Sequence, residues 1–383
     1  MQTVIALSAV FAASLWATAS STGLLEESQN AALQYWIAFA LCPDEDEALS
    51  NATSDHEKFG FGVPVSQKLA KYFRGDGDRA LVHLHRGAKL RSCEWATDLR
   101  RDGPNVAAPY GRKAHALARV ALLRARWRFE HGDWDSGIED VIATMMLGRH
   151  IGRGKIKYNL HHCCQIEAMA LGTTAFYCPR MPEEWRGRLA RVLKSLPPLT
   201  SMREVVLYHE GAIDWAIDNF KRAEKEGRLP ELVTSICGEE DAKKVLAMAR
   251  DAEALCKLAE AVRPLVREIA EALSLRADEY DRVFKKRFAP RLDANPIAAA
   301  LGFDYTDARD EELHAHCRLV LFRAGLDVFR RGRGALKDHP DPYGDGPFEH
   351  KAIDGGFELG SALACYNRRV RIRFGVPNVF PFP

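Results

Sequence analysis

The sequence predicts a mainly α-helical protein, built from antiparallel helical hairpins in a repeat-like bundle, with a small C-terminal β-hairpin. Three observations predict this fold class. Apolar residues recur at spacings of three and four from Glu26 to about Arg331, which is the period of an α-helix. Strand-like alternation is scarce over the same range. After Gly334 the period changes, and a cluster of proline, glycine and aspartate precedes two short apolar runs.

The helical period is strong enough to place individual helices. The predicted helices cover 26–41, 65–74, 77–90, 112–131, 134–151, 156–178, 182–195, 201–226, 240–262, 264–288 and 308–331. Pro264 is expected to break or kink the chain where it stands, because proline lacks an amide donor and clashes with the preceding turn.

The clearest helical hairpin joins 112–131 to 134–151. Gly132 is expected to end the first helix, and Asp133 to cap the second by accepting orphan amide protons. The connecting turn is too short for anything but antiparallel packing. One apolar face is predicted on each helix: Leu117, Val120, Leu123 and Trp127 on the first, and Trp134, Ile138, Val141, Ile142 and Met145 on the second.

The C-terminal tail has the pattern of a β-hairpin. Two apolar runs, Phe348–Ile353 and Phe357–Gly360, flank the turn residues Asp354-Gly355-Gly356. The final residues are predicted to add a short edge strand. Asp341 and Asp345 in the preceding turn cluster are expected to satisfy nearby backbone amides.

These patterns predict four segments. Residues 1–19 are a signal peptide, 20–288 an α-helical body, 289–307 a connector, and 308–383 a terminal helix with the β-hairpin tail. The connector is predicted from Pro290, Pro296 and Gly302.

The N-terminus predicts export to the periplasm or the extracellular space. Val4 to Ala19 is an uncharged apolar run that ends in Ala17-Thr18-Ala19, and this small-x-small pattern suits cleavage before Ser20. No stable membrane span is expected after cleavage. The segment before Val4 contains no Lys or Arg, which leaves two alternatives open: an apolar helix packed on the core, or an uncleaved membrane tether.

Composition excludes disordered, collagen-like and coiled-coil proteins. The chain has 383 residues and is 47% hydrophobic and 28% charged, as in an ordinary globular protein. The 54 Lys and Arg against 52 Asp and Glu give a net charge of +2, so nucleic acid is not an expected partner.

Cysteine usage leaves the disulfide pattern open. The nine cysteines are an odd number, so at least one thiol has no partner within the chain. Cys93 is the first candidate for a disulfide, with no partner assigned. Cys42, Cys256 and Cys317 stand in helical contexts, where a free cysteine behaves as a small buried hydrophobe.

Three stretches carry a resemblance to a known group of proteins. They are SCEWATDLRRDGP from Ser92, RARWRFEHGDWDSGIEDVIATMMLGRHIG from Arg124, and DPYGDGPFEHKAIDGGFELGS from Asp341. Together they resemble a family of uncharacterised exported bacterial proteins, with a helical body and a short β tail opened by an Asp-Pro-aromatic-x-Gly turn. The second stretch also resembles one tetratricopeptide hairpin, without a second copy at the 34-residue period of that repeat. The family implies no activity.

The tail alone resembles the C-terminal turn and hairpin of type II secretion pseudopilins, in which a following Asp-rich loop binds calcium. This chain has no such loop after Gly360. Calcium is therefore not the favoured interpretation of Asp341 and Asp345.

The string His161-His162-Cys163-Cys164 contains residue types that bind zinc. Adjacent residues on a helix point about 100° apart, so they cannot all reach one ion. The candidate metal site is His161, Cys164 and Glu167 with a ligand from another helix. The favoured interpretation is structural, with a cysteine buried and the histidines at a polar edge, and no cofactor is predicted.

Two other histidine patterns have metal-like spacing. Glu311-x-x-His314 matches the spacing of di-iron bundles, but no second copy occurs in the chain. His314 and His316 are instead expected to pair with carboxylates one turn earlier. His83 and His85 diverge on a helix and are not expected to bind one ion.

Two further candidates remain. His209-Glu210, with Asp214 one turn on, could be an acid–base pair facing a groove or a solvated face. The loop segment that holds Cys93, Trp95, Asp98 and Asp102-Gly103 could be functional, but Trp95 is more typical of a structural anchor between helical layers.

No nucleophile elbow, Walker loop, dinucleotide fingerprint or H-E-x-x-H motif occurs in the chain. The leading functional hypothesis is a binding or scaffold role in the cell envelope, with a protein or envelope component as partner, because helical pairs present concave surfaces. The alternative is a metal-dependent enzyme with ligands on the His161–Glu167 helix and a facing helix. A third hypothesis is an envelope-structural protein tethered by an uncleaved N-terminus.

Overall fold

The structure is a computed structural model that describes residues 29–44, 48–49, 64–104, 106, 108–303, 305–365 and 368–378. The predicted signal peptide, residues 1–19, lies outside the described residues. Within the described part of the chain, no helix combines the length and the apolar character needed to cross a membrane.

Helices account for most of the described chain, and the predicted mainly α fold is confirmed. Up to residue 200 the helices are α1 (Ala31–Leu41), α2 (Asp76–Lys89), α3 (Leu99–Asp102), α4 (Tyr110–Glu130), α5 (Trp134–Gly152), α6 (Lys157–Tyr177) and α7 (Glu183–Ser195). They continue with α8 (Met202–Tyr208), α9 (Glu210–Lys225), α10 (Leu229–Cys237), α11 (Glu239–Met248), α12 (Ala252–Glu260), α13 (Arg263–Ala272), α14 (Ala277–Val283), α15 (Ala289–Asp293), α16 (Pro296–Ala300) and α17 (Thr306–Arg331). Short 3₁₀ segments cover Gln67–Phe73, Cys178–Arg180 and Arg333–Asp338, and Phe284–Phe288 is π-helical.

The C-terminal sheet has three antiparallel strands: β1 (Glu349–Ile353), β2 (Gly356–Cys365) and β3 (Arg368–Phe374), in the order β1-β2-β3. The β1–β2 pair is the predicted hairpin, and β3 is the predicted additional edge strand. Asp341 accepts hydrogen bonds from the amides of Tyr343 at 3.0 Å and Ala362 at 2.5 Å, so it fixes the turn cluster against β2.

The α4–α5 hairpin forms as the sequence predicts. Gly132 adopts a φ of +78°, which glycine reaches without a Cβ clash, and the Asp133 side chain accepts from the Ser136 amide at 3.2 Å. Residues of both predicted apolar faces are fully buried, among them Leu117, Leu123 and Ile138.

A buried carboxylate lies inside this hairpin. Asp140 of α5 has no exposed surface. Arg124 donates to it from Nε at 3.0 Å and from Nη2 at 2.7 Å, and Arg128 donates from Nη1 at 2.7 Å. His85 Nε2 of α2 lies 2.7 Å from its Oδ1. Burial alone would raise the pKa of Asp140, but the hydrogen bonds from His85 and Arg124 outweigh it and lower that pKa below its ordinary value.

The apolar side chains form two clusters. The first joins helices α1, α2 and α4 to α7 with α17 and the β-sheet. The second holds helices α8 to α16, with a few residues of α6 and α17. The second cluster is thus inserted, in sequence, between the two parts of the first.

The segment predicted as a connector, residues 289–307, differs from a linker. It contains α15 and α16, and Ile297, Ala298, Leu301 and Phe303 are at most 1% exposed in the second cluster. Pro290 and Pro296 stand in the first turns of these helices, where a missing amide donor costs no hydrogen bond.

Three long predicted helices are divided in the structure, among them 264–288, which becomes α13, α14 and the π-helical segment. The break at Pro264 is confirmed, because α12 ends at Glu260 and α13 begins at Arg263. The predicted helix 240–262 also breaks before Asp251, whose side chain caps α12 by accepting from the Ala254 amide at 2.8 Å. The predicted helix 201–226 divides at His209.

The eight cysteines whose side chains are described are free thiols, so Cys93 forms no disulfide with any of them. Cys93 is buried, and this burial raises the pKa of its thiol to about 12. Cys317 is fully buried as predicted, whereas Cys42 and Cys256 are only half-buried.

Candidate ligand-binding site

A cleft of about 420 Å³ lies between α17, the buried ends of α5 and α6, and the loop that joins α7 to α8. Its volume is within the range of small-molecule sites. One wall is apolar and comes from Leu196, Pro197, Pro198 and Leu199 of the loop. The remaining lining residues are Arg149, Glu167, Arg309, Glu312, Leu313, Ala315, His316, Leu319, Arg323 and Tyr343. Three arginines and two glutamates therefore share a largely apolar cleft.

An ion pair lies at the inner wall of the cleft. Arg149 of α5 is 5% exposed, Glu167 of α6 is 2% exposed, and Arg149 Nη2 donates to Glu167 Oε1 at 2.7 Å. Burial raises the pKa of Glu167 although Arg149 acts in the opposite direction. Arg149 Nε and Glu167 Oε2 are buried without a hydrogen-bond partner. Orphan buried polar groups of this kind are costly.

Two more arginines come from α17. Arg309 pairs with Glu312 at 2.8 Å, one turn along the helix. Arg323 donates to the carbonyl of Leu193, and among the described residues no carboxylate comes within 4.0 Å of its nitrogens. Burial, and then repulsion from Arg149, lower the pKa of Arg323. Its positive charge is therefore available to an anion in the cleft.

The structure separates the three residues of the candidate metal site. His161 contacts Glu311 of α17 through Nδ1 and lies 2.7 Å from Gln165 through Nε2. Cys164 is buried in the second cluster, and Glu167 binds Arg149. No group of three potential metal ligands forms among the described residues.

The His161–Glu311 pair lines a separate pocket of about 400 Å³, together with Lys157, Tyr158 and His209. His209 does not form an acid–base pair with the acidic residues that follow it. Its Nδ1 lies 2.6 Å from the hydroxyl of Tyr305. Glu210 accepts from Arg267 at 2.8 Å, and Asp214 accepts from Arg263 at 2.8 Å.

The other histidines singled out in the sequence are His83, His85, His314 and His316, and the structure shows the partners of three of them. His83 lies 2.9 Å from Gln34 Oε1, whereas His85 binds Asp140, so the two rings have different partners. The predicted pairing of His316 with a carboxylate one turn earlier is wrong, since its Nδ1 lies 3.1 Å from the Tyr343 hydroxyl. His314 forms no ion pair with any described residue.

Trp95 holds the segment before the α4–α5 hairpin in place, as the anchoring interpretation predicts. Its ring stacks on Tyr110 with centroids 4.3 Å apart, and its Nε1 donates to the carbonyl of His150 at 2.7 Å. Cys93 beside it is buried, and Asp98 caps α3 by accepting from the Arg100 amide at 3.0 Å. The side chains of Trp95, Cys93 and Asp98 therefore have structural roles in this segment.

Buried histidines predict that acid destabilises the protein. Desolvation lowers the pKa of His150, His162 and His209 to about 4, while the unfolded chain titrates near 6.5. The unfolded state then binds more protons between pH 6.5 and 4. Stability is full above pH 6.5 and falls as the pH drops through this window, by up to about 1.4 kcal/mol per pH unit for each histidine.

We expect urea unfolding followed by circular dichroism to show this loss. The test variant is His162→Leu, because both ring nitrogens of this buried histidine lack a hydrogen-bond partner. The variant should flatten the pH dependence and leave the stability at pH 7.5 little changed. An identical slope in variant and parent would contradict the assignment.

Sequence reasoning missed Arg149, Arg309 and Arg323, and one signal could have found the first. Arg149 falls four residues after Met145 on the apolar stripe that begins at Ile138, and an arginine on a buried stripe marks a polar site inside the core. Arg309 and Arg323 cannot be recognised in this way, because the cleft that surrounds them is made by the distant α7–α8 loop.

Comparison with known proteins adds no family or activity to this geometry. No family model, no curated protein and no solved structure matches the chain.

Proposed function

We propose that this protein is an exported binding protein, and that its cleft along α17 holds a ligand with an anionic group and an apolar portion. The observation that carries the proposal is Arg323, a half-buried cation in the cleft wall without a carboxylate partner among the described residues. Export is inferred from the apolar run that ends at Ala19.

The rest of the cleft supports the same class of ligand. Arg149 and Arg309 line the cleft together with Arg323, and carboxylates and phosphates are the groups that arginine binds best. Leu313 and Leu319 are at most 8% exposed and, with the proline-rich loop, provide a surface for an aliphatic chain. The alternative of a metal-dependent enzyme has only the His161–Glu311 contact in its favour, so we do not propose it.

Calorimetric titration with octanoate tests the proposal. We expect saturable binding to the protein from Ser20 onward, and binding at least about tenfold weaker for octanamide, which lacks the charge. Arg323→Gln should weaken octanoate binding by a similar factor. Arg330→Gln is the matched control, because this arginine is on the same helix, 54% exposed and outside the cleft.

Two results would overturn the proposed function. One is the absence of saturable binding for octanoate, decanoate and inorganic phosphate alike. The other is equal binding of octanoate and octanamide, which would mean that the arginines do not recognise charge.

A further inference from the structure

A second cleft of about 560 Å³ adjoins the first, and Arg309, Leu313 and Tyr343 line both. Its charge has the opposite sign. Asp278, Asp281 and Asp310 line it, against Arg276 and Arg309. Arg276 and Asp278 pair with each other at 3.6 Å, near solvent. The two clefts, called the groove below, therefore share a wall and differ in charge.

Asp281 is a carboxylate of the second cleft that has no partner among the described residues. It is half-buried on α14, and no described residue gives it a hydrogen bond or an ion pair. In the first cleft, Arg323 is likewise a charged side chain without a partner of opposite charge among the described residues. One uncompensated negative charge thus lies in the second cleft and one uncompensated positive charge in the first. Leu313 gives both clefts an apolar wall, and the α7–α8 loop adds one to the first.

From these observations, and resting on the proposed function, we propose that the ligand is a short peptide with free termini, whose carboxylate binds Arg323 and whose ammonium group binds Asp281.

The wall that α17 gives to the first cleft is much longer than a dipeptide. Arg309, Leu313, His316 and Arg323 follow one face of α17, and at 1.5 Å per residue they cover roughly 21 Å. An extended peptide of six residues, at about 3.4 Å each, covers a similar length, whereas a dipeptide covers about 7 Å.

Asp281 favours a peptide over a simple fatty acid. A peptide with free termini carries an ammonium group for Asp281 and a carboxylate for Arg323, and its backbone supplies N–H and C=O groups to the polar side chains that line the clefts. A fatty acid has no cation for Asp281.

The test uses a six-residue peptide of alanine and leucine in three forms: with free termini, N-acetylated, and C-amidated. For the parent protein, we expect each cap to weaken binding at least about tenfold, because each removes one charge-assisted contact. A dipeptide of the same composition should bind at least about tenfold more weakly than the hexapeptide.

Two variants assign the ends of the peptide. In Arg323→Gln, C-amidation should no longer weaken binding, whereas N-acetylation should still do so. Asp281→Asn should show the reverse. Arg330→Gln and Asp293→Asn are controls that remove the same charges at exposed positions outside both clefts, and both should keep the sensitivity to each cap.

The outcomes separate this inference from the function on which it rests. If octanoate binds through Arg323 but the hexapeptide does not bind, or binds equally well with both termini capped, the peptide inference is wrong and the anion-binding function stands. If neither ligand binds, both are wrong. The capped peptides test the parent protein directly, so the result does not depend on the folding of any variant.

Discussion

Replacing Asp140 by alanine should lower the free energy of unfolding by about 3–5 kcal/mol, the usual effect of removing one partner of a buried charge pair. The Arg124 guanidinium, 9% exposed, would then keep one carboxylate partner among the described residues, Asp78 at 2.8 Å. Arg128 and His85 would lose the same acceptor. Chemical denaturation followed by the far-ultraviolet circular dichroism of the helices measures the change.

Asp78→Ala is the matched control for this prediction. Asp78 also binds Arg124, but its side chain is 58% exposed, and exposed ion pairs contribute roughly 0–1 kcal/mol. A similar loss in both variants would show that the network is stabilised by total charge and not by the buried carboxylate.

Gly325→Ala is expected to destabilise the protein, although glycine to alanine within a helix ordinarily stabilises it. A Cβ at this position of α17 would lie 2.0 Å from the ring of Phe374 in β3. That ring is fully buried and packs against Phe357 with centroids 4.8 Å apart. Overpacking of this kind costs about 1–3 kcal/mol or more, which exceeds the helix-propensity gain of about 1 kcal/mol. Thermal unfolding should show a lower midpoint.

Two variants make this prediction specific. Gly187 lies within α7, and a Cβ there would meet only the end of the Arg191 side chain at 3.7 Å. Gly187→Ala should therefore stabilise the protein by about 0.5–1 kcal/mol. Adding Phe374→Leu to Gly325→Ala should recover part of the loss. Destabilisation that persists undiminished in the double variant would exclude the clash as its cause.

The sequence was sufficient for the parts of the fold that depend on local periodicity. The α4–α5 hairpin has two complete apolar stripes, a glycine at its turn and an aspartate cap, so each local signal agrees with the final packing. The prediction of one helix over 240–262 was wrong because Asp251 is a stronger local signal than the apolar period of this segment. Met248, an apolar residue within it, is 61% exposed.

The candidate site was much less predictable, because it depends on contacts between distant segments. The sequence made His161 a candidate metal ligand, because it stands in a string of metal-binding residue types. Only tertiary packing shows that its partner is Glu311, 150 residues away. Likewise, nothing near Arg323 in the sequence indicates that Leu196 to Leu199 will cover it. Spacing along the chain is informative about helix faces, not about which helix faces which.

The insertion of one apolar cluster within the other has a consequence for the order of folding. The amide of Gly375, directly after β3, donates to the carbonyl of Ala175 in α6 at 3.1 Å. The two residues are some two hundred positions apart in the sequence. Contacts of such separation form slowly. Helices α8 to α16 are contiguous and need not wait for the tail. We therefore expect the middle of the chain to fold before the tail is in place, while the face of α6 that packs against α17 and β3 stays open until the C-terminus emerges and covers it.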